Sequence, residues 1–255
     1  MWHWFPEIAS TFTQIDSIFM IILWITGFVF VAVEAVLLYF AFRYRHRPGR
    51  KAAHIHGNTR LEIVWTTATF LVVLFIAGIS IGPWIELRNP ERFPPPALTL
   101  AITAKQFEWN VTYPGADGRI GTDDDFTGRN QLHVPVGRPV HVKLLAEDVI
   151  HSFFLPELRV KQDAVPGMEI PIWFQATRPG EYVLGCAELC GLGHYRMKGV
   201  VRALDPSEFD AWHAQGGVAV ARPASEAVAA GAPDRAHAAA LPAPSPVAAA
   251  EHTGH

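Results

Sequence analysis

Cysteine is nearly absent from this sequence. Two occur among 255 residues, Cys186 and Cys190, so a disulfide framework is excluded and at most one bridge is available. Charge is scarce too: 18% of the residues are Asp, Glu, Lys or Arg, against roughly 25% in an ordinary soluble domain. Basic charge is not in excess, the formal net charge being -3. Nucleic acid is therefore a poor partner, since its binders carry a basic patch or stripe. A Cys-x-x-Cys-His haem-attachment motif is missing as well, so this chain is read as carrying no haem of its own. What the sequence has in quantity is apolar residues, 50% of the total, and they are concentrated in two runs.

The first run, residues 18–42, is interrupted only by Thr26, Gly27, Glu34 and Tyr39. At about 1.5 Å per helical residue it outruns the ~30 Å hydrocarbon core of a bilayer. The second, residues 63–82, holds nothing more polar than Thr66, Thr67, Thr69 and Ser80, and Gly82-Pro83 is read as its end. Residues 1–88 are thus expected to form a two-helix transmembrane hairpin. Between the runs lie Arg43, Arg45, His46, Arg47, Arg50, Lys51, His54, His56 and Arg60. The positive-inside rule puts this short basic loop in the cytoplasm and both chain ends outside. A secretory signal peptide is the alternative for the first run, but that run is longer than the usual apolar region and lacks both a preceding basic segment and a small-residue cleavage site. Glu34 lies within it, where an ionisable group is costly unless paired, so the hairpin is expected to dock on a larger membrane subunit.

Beyond Arg88 helical periodicity stops. Prolines 90–96 read as a stiff linker, followed by short β-type runs at 98–103, 107–113, 131–134, 139–145, 169–175, 182–185 and 199–203, with turn residues between them. Residues 89–216 are expected to be an antiparallel sandwich or barrel closed by a helix at 206–215. The acidic segment 117–125 reads as a solvated hairpin insertion, with a calcium loop as the alternative, although it lacks the EF-hand pattern and its closing glutamate. Residues 217–255, rich in Ala and Pro, cannot build a core and are expected to be a disordered tail.

Chemistry concentrates in residues 185–197, where Cys186, Cys190, His194 and Met197 stand close together. Two thiols, an imidazole and a thioether suit copper far better than magnesium or calcium. His151, in Asp148-Val149-Ile150-His151, begins an earlier β-type run and is a natural further ligand. Mononuclear blue copper takes two histidines, one cysteine and an axial methionine, so one cysteine is surplus. Two sulfurs bridging two copper ions would use it. A Cys186–Cys190 disulfide and a structural zinc site are the other readings.

The motif Cys-x-Glu-x-Cys-x3-His-x2-Met with the upstream Asp-Val-x-His resembles subunit II of haem-copper cytochrome c oxidases, with its binuclear CuA centre. Asp163-Ala164-Val165-Pro166-Gly167 and Arg178-Pro179-Gly180 also match that family, and the likeness covers residues 15–204. The resemblance implies a cupredoxin-like Greek-key barrel on the outer, periplasmic side of a bacterial cell membrane. It implies that His151, Cys186, Cys190, His194 and Met197 bind copper through their side chains and Glu188 through its backbone carbonyl. It gives the Glu188 carboxylate a magnesium role at the border with subunit I, and Glu62 the mouth of a proton pathway.

Electrons in that family pass from cytochrome c through an aromatic stretch, matched here by Gln106-Phe107-Glu108-Trp109, to a haem in subunit I, where O2 is reduced to water with proton translocation. Phe107 and Trp109 are thus the expected electron-accepting aromatics. Phe107 stands where the family has tryptophan, which puts the donor's identity in question, and Met168 replaces an arginine. Asp148, Glu157 and Asp163 are candidates for an acidic face that steers a basic donor. The copper subunit of a nitric oxide reductase and a membrane-tethered copper carrier are the rival functions.

Overall fold

The computed structural model describes residues 6–51 and 53–217. The expected tail therefore lies, from residue 218 on, outside the described residues.

Two long helices come first, α1 (Thr13–Arg43) and α2 (Thr59–Arg88), of 31 and 30 residues. No residue of either is buried. Helices apolar on every side have no use for water and belong in lipid, and each is long enough to cross a bilayer. Asn58 caps α2 by accepting the Leu61 N–H at 3.2 Å. The sequence reading ended this helix at Gly82-Pro83, whereas α2 continues through Pro83 to Arg88. Pro83 has no N–H to offer the carbonyl of Ile79, so one intrahelical bond is lost. The last turn is held from outside instead. Trp173 Nε1 donates to the Glu86 carbonyl at 3.0 Å, Arg88 donates to the Lys161 carbonyl at 3.0 Å, and Leu87 packs on the core of the β domain.

The proline-rich stretch that follows is not a free spacer. It makes a 3₁₀ turn, Pro90–Arg92, and then seats the Phe93 ring edge-on against His141, whose Nε2 lies 2.8 Å from the Pro94 carbonyl.

Ten strands make the β domain: β1 (Leu98–Lys105), β2 (Glu108–Tyr113), β3 (Phe126–Arg129), β4 (Gln131–Pro135), β5 (Val140–Ala146), β6 (His151–Leu155), β7 (Val160–Ala164), β8 (Ile170–Phe174), β9 (Gly180–Cys186) and β10 (Lys198–Leu204). They form two five-stranded sheets, ordered β3-β2-β1-β5-β8 and β4-β10-β9-β6-β7. The sandwich is mixed rather than purely antiparallel, because β1 runs parallel to β5 and β4 parallel to β10. Period-two alternation turns one side of each strand inward, as with Trp109, Val111 and Tyr113 of β2 and Val140, Val142 and Leu144 of β5. Leu132, Phe153, Leu184 and Val201 meet them from the other sheet. Helix α3 (Pro206–Ala214) closes one end, with Trp212 stacked on His133 at 4.2 Å and edge-on to Tyr113 at 5.0 Å.

The chain ahead of α1 also belongs to this domain. Ser10 forms a β-bridge with Ala176, Ala9 exchanges backbone bonds with Glu157 and Thr177 at 2.8 Å, and Ser10 Oγ donates to the Leu158 carbonyl at 2.8 Å. Phe12 is buried edge-on against Trp173 at 4.9 Å. Arg159 donates to both carboxylate oxygens of Asp16, at 2.6 and 3.0 Å, and to the carbonyls of Pro6 and Pro156, while Arg178 holds Glu7 and the Ile8 carbonyl. The start of α1 and the end of α2 are therefore both fastened to the β domain.

Candidate metal centre

Pairing of β6 with β9 brings the chemistry together. Phe153 is registered opposite Cys186, the last residue of β9, so His151 at the start of β6 lies near the thiol. The chain then loops through Ala187–Gly193, makes a 3₁₀ turn at His194–Arg196 and returns as β10. Two backbone bonds pin the loop's base: Cys186 N–H to the Met197 carbonyl at 3.1 Å and Ala187 N–H to the Ser152 carbonyl at 3.0 Å.

Inside the loop, Cys186 Sγ is 3.8 Å from Cys190 Sγ, and Cys190 Sγ is 3.7 Å from both His194 Nδ1 and Met197 Sδ. Cys186 Sγ also lies 3.2 Å from the Glu188 carbonyl oxygen. The ligand atoms of His151, Cys186 and Cys190 fall within 4.8 Å of one another, the convergent metal-capable group among the described residues. His194 joins it through Cys190. Both cysteines are free thiols. His151, Cys190 and Met197 are buried, whereas the Glu188 side chain is exposed and only its carbonyl faces the cluster.

These residues fit a soft metal ion. Burial, reinforced by the neighbouring Cys186 thiol, pushes the Cys190 thiol up to about 11, so without a cation this thiol stays protonated at neutral pH. His151 Nε2 lies 2.8 Å from Asp148 Oδ1, whereas its Nδ1 is buried with no partner. A carboxylate on one ring nitrogen and an open lone pair on the other is the usual arrangement of a metal-ligating histidine. Burial alone would raise the Asp148 carboxyl, yet the hydrogen bonds from His151 and from the Gln106 and Val149 N–H groups hold it below the usual carboxylate range.

Around this cluster sit the aromatics. Trp109 is fully buried, its ring 6.3 Å from that of His151, so it backs the site and offers no surface to another protein. Phe107 is half-buried and lies over the loop. A Cβ at Gly193 would come 2.5 Å from Phe107 Cδ2, and one at Gly191, whose φ is +128°, would come 2.7 Å from Gln106 Nε2. The two glycines make room for the Gln106-Phe107 segment.

Sequence reasoning missed Gln106 and misjudged Asp148. Rather than facing a donor, Asp148 is turned onto His151 and the Gln106 N–H, and the i, i+3 spacing of Asp148 and His151 was the available signal. Glu157 accepts from Val183 N–H and Asp163 pairs with Lys161, so neither stands as a free acid. The 117–125 segment links β2 and β3, as expected of a hairpin insertion, and Asp125 Oδ2 accepts the Gly121 N–H at 2.7 Å. Glu62 is exposed in the first turn of α2, at the end of the hairpin far from the thiols.

Comparison with known proteins agrees with this layout. The family profile for the transmembrane domain of cytochrome c oxidase subunit II matches residues 4–82, and that for its periplasmic domain matches residues 102–204. The chain is 35% identical over 233 residues to the alternative cytochrome c oxidase subunit 2 of Bradyrhizobium diazoefficiens, covering 83% of each chain. It is 30% identical to cytochrome c oxidase subunit 2 of Thermostichus vulcanus, over 82% of this chain and 77% of that one. Among solved structures, the periplasmic domain of cytochrome oxidase subunit II of Bradyrhizobium japonicum aligns with 48% of this chain and 95% of its own, at 32% identity and a TM-score of 0.43. With two membrane-spanning helices, a cupredoxin-like periplasmic domain and these matches along most of its length, the chain belongs to the cytochrome c oxidase subunit II family.

Proposed function

We propose that this chain is the electron-accepting subunit of a terminal oxidase: it takes electrons from reduced cytochrome c, or a similar small redox protein, and delivers them to haem in subunit I. O2 reduction and proton translocation belong to that larger subunit. The observation that carries the reading is the pair of thiols 3.8 Å apart beside the unpartnered, buried His151 Nδ1. His151, Cys186, Cys190, His194 and Met197 would hold a binuclear copper centre through their side chains, with the Glu188 carbonyl as a further ligand. When bound there, copper would supply a one-electron couple for which these soft ligands are suited.

The chain's own residues set the conditions for that couple. Asp148 fixes the His151 ring with its Nε2 engaged and Nδ1 turned inward. Burial of Cys190 and Met197 keeps water from the sulfurs. Phe107, over the loop, is the aromatic that a docked donor would meet, with Trp109 behind it against His151. The Glu188 carboxylate, exposed next to the cluster, is available to magnesium at the subunit I border, and Glu62 to protons entering from the cytoplasm. The segment ahead of α1 packs on the β domain, which supports an outside N-terminus and a retained first helix. The relatives' names favour an oxidase over a nitric oxide reductase.

Copper stoichiometry and electron paramagnetic resonance of the full-length chain test this reading. Two tightly held coppers with a mixed-valence spectrum are expected, and Cys186→Ser should abolish that spectrum. A single labile copper would instead favour a carrier, and an unchanged spectrum in the variant would sink the ligand assignment.

A further inference from the structure

We propose that Gln106 is a positioning residue that ties the two metal-binding arms of the domain together. The residue is exposed and lies in the turn between β1 and β2, outside every strand of the sandwich. Its backbone N–H donates to Asp148 Oδ2 at 2.7 Å, and the other oxygen of that carboxylate holds His151. Its side-chain Nε2 donates to the Cys190 carbonyl at 2.6 Å. One residue thus spans from the His151 arm to the Cys190 arm, which are also joined near the site through strand pairing at Phe153–Cys186 and Phe154–Gly185 and the Ala187-to-Ser152 bond.

The far part of the loop needs such a tie. Residues 188–193 belong to no strand, and Leu189 and Leu192 are 77% and 94% exposed, so in this segment packing holds only Cys190 and Gly193. Gly191 supplies the complementary gap, since any Cβ would strike Gln106 Nε2 and its φ of +128° disfavours a side chain in any case. The tether acts on Cys190 from its carbonyl side and fixes where the thiol points. The same segment carries Phe107, so the aromatic over the loop and the ligand beneath it are held by one piece of chain.

The inference rests on the copper-site reading, so its test has an arm that needs no metal. In the metal-free full-length chain with Cys186→Ala, which leaves one thiol, Gln106→Ala should make Cys190 react about fivefold faster with an aromatic disulfide reagent. That factor corresponds to a hydrogen bond of ~1 kcal/mol. Gln106→Glu keeps the size but cannot donate from a carboxylate, and should react at least as fast. In the chain with both cysteines, each Gln106 variant should lose copper to a chelator about fivefold faster, while the thermal midpoint of unfolding falls by no more than about 2–4 °C, the shift that a contact of ~1 kcal/mol implies. Wild-type rates in both variants overturn the proposal, and so does a Gln106→Glu variant that behaves as wild type while Gln106→Ala does not. If the unsubstituted chain takes up no copper, the copper reading fails while the thiol arm still decides the tether.

Discussion

Replacing Gly193 by alanine isolates the contact between Phe107 and the loop that carries the thiols. Gly193 has φ −90° and ψ 8°, a backbone conformation open to L-residues, so alanine meets no conformational penalty there. The obstacle is steric: the new Cβ would sit 2.5, 2.6 and 2.8 Å from Cδ2, Cγ and Cε2 of Phe107, atoms of a rigid ring rather than the tip of a flexible chain. Either Phe107 or the loop has to shift by about an ångström, an overpacking cost of about 1–3 kcal/mol. Gly193→Ala should therefore lower the thermal unfolding midpoint of the full-length chain by several degrees. Its copper content should stay at the wild-type value, because every proposed ligand is retained, while reduction by cytochrome c in stopped flow slows. Removing the ring relieves the clash, so in the double variant with Phe107→Ala the two costs should fall short of their sum by at least ~1 kcal/mol. Additive costs, or an unmoved midpoint in the single variant, would refute the argument that these two residues share one space.

Two further outcomes follow from groups elsewhere in the domain. Burial, with Arg202 nearby, depresses His133 to about 4 from an ordinary 6.5, so the folded chain declines a proton that the unfolded chain accepts. The stability this group contributes is complete above pH 6.5 and is lost as pH falls towards 4. The loss reaches about 2 kcal/mol by pH 5, and His133→Gln should flatten that part of an unfolding-against-pH series. Arg159→Met removes a guanidinium that bridges Asp16, Pro6 and Pro156. The half-exposed Asp16 is then hydrated, which keeps the loss near ~1.5 kcal/mol, and limited proteolysis should cut ahead of α1 sooner than in the wild type.

The helices were legible because nothing but a membrane accounts for two long runs apolar on all sides. The end of α2 was not, since Pro83 is a local stop signal overridden by Glu86, Leu87 and Arg88 seating on the β domain. Strand β3 was missed because Phe126–Arg129 is short, contains a glycine and follows an acidic insertion, and β7 because Lys161, Gln162 and Asp163 give a polar edge little apolar alternation. The parallel pairings were hidden because pattern reports which face is buried, not which strand lies alongside. Cys186, Cys190, His194 and Met197 are legible because one loop carries them. Gln106 reaches Cys190 across 84 residues of sequence, and no local spacing announces such a contact.

The strap ahead of α1 has a consequence for biogenesis. Ser10 bonds to Leu158, 148 residues further along the chain, and bridges to Ala176 beyond it. The first described residues to leave the ribosome are thus among the last to find their places. Until β7 and β8 have been made and carried across the bilayer, Ala9 and Phe12 have no core to enter, and contacts so distant in sequence form slowly. The order of synthesis is the reverse of the order of closure, so insertion of both helices comes before the outer domain can be sealed.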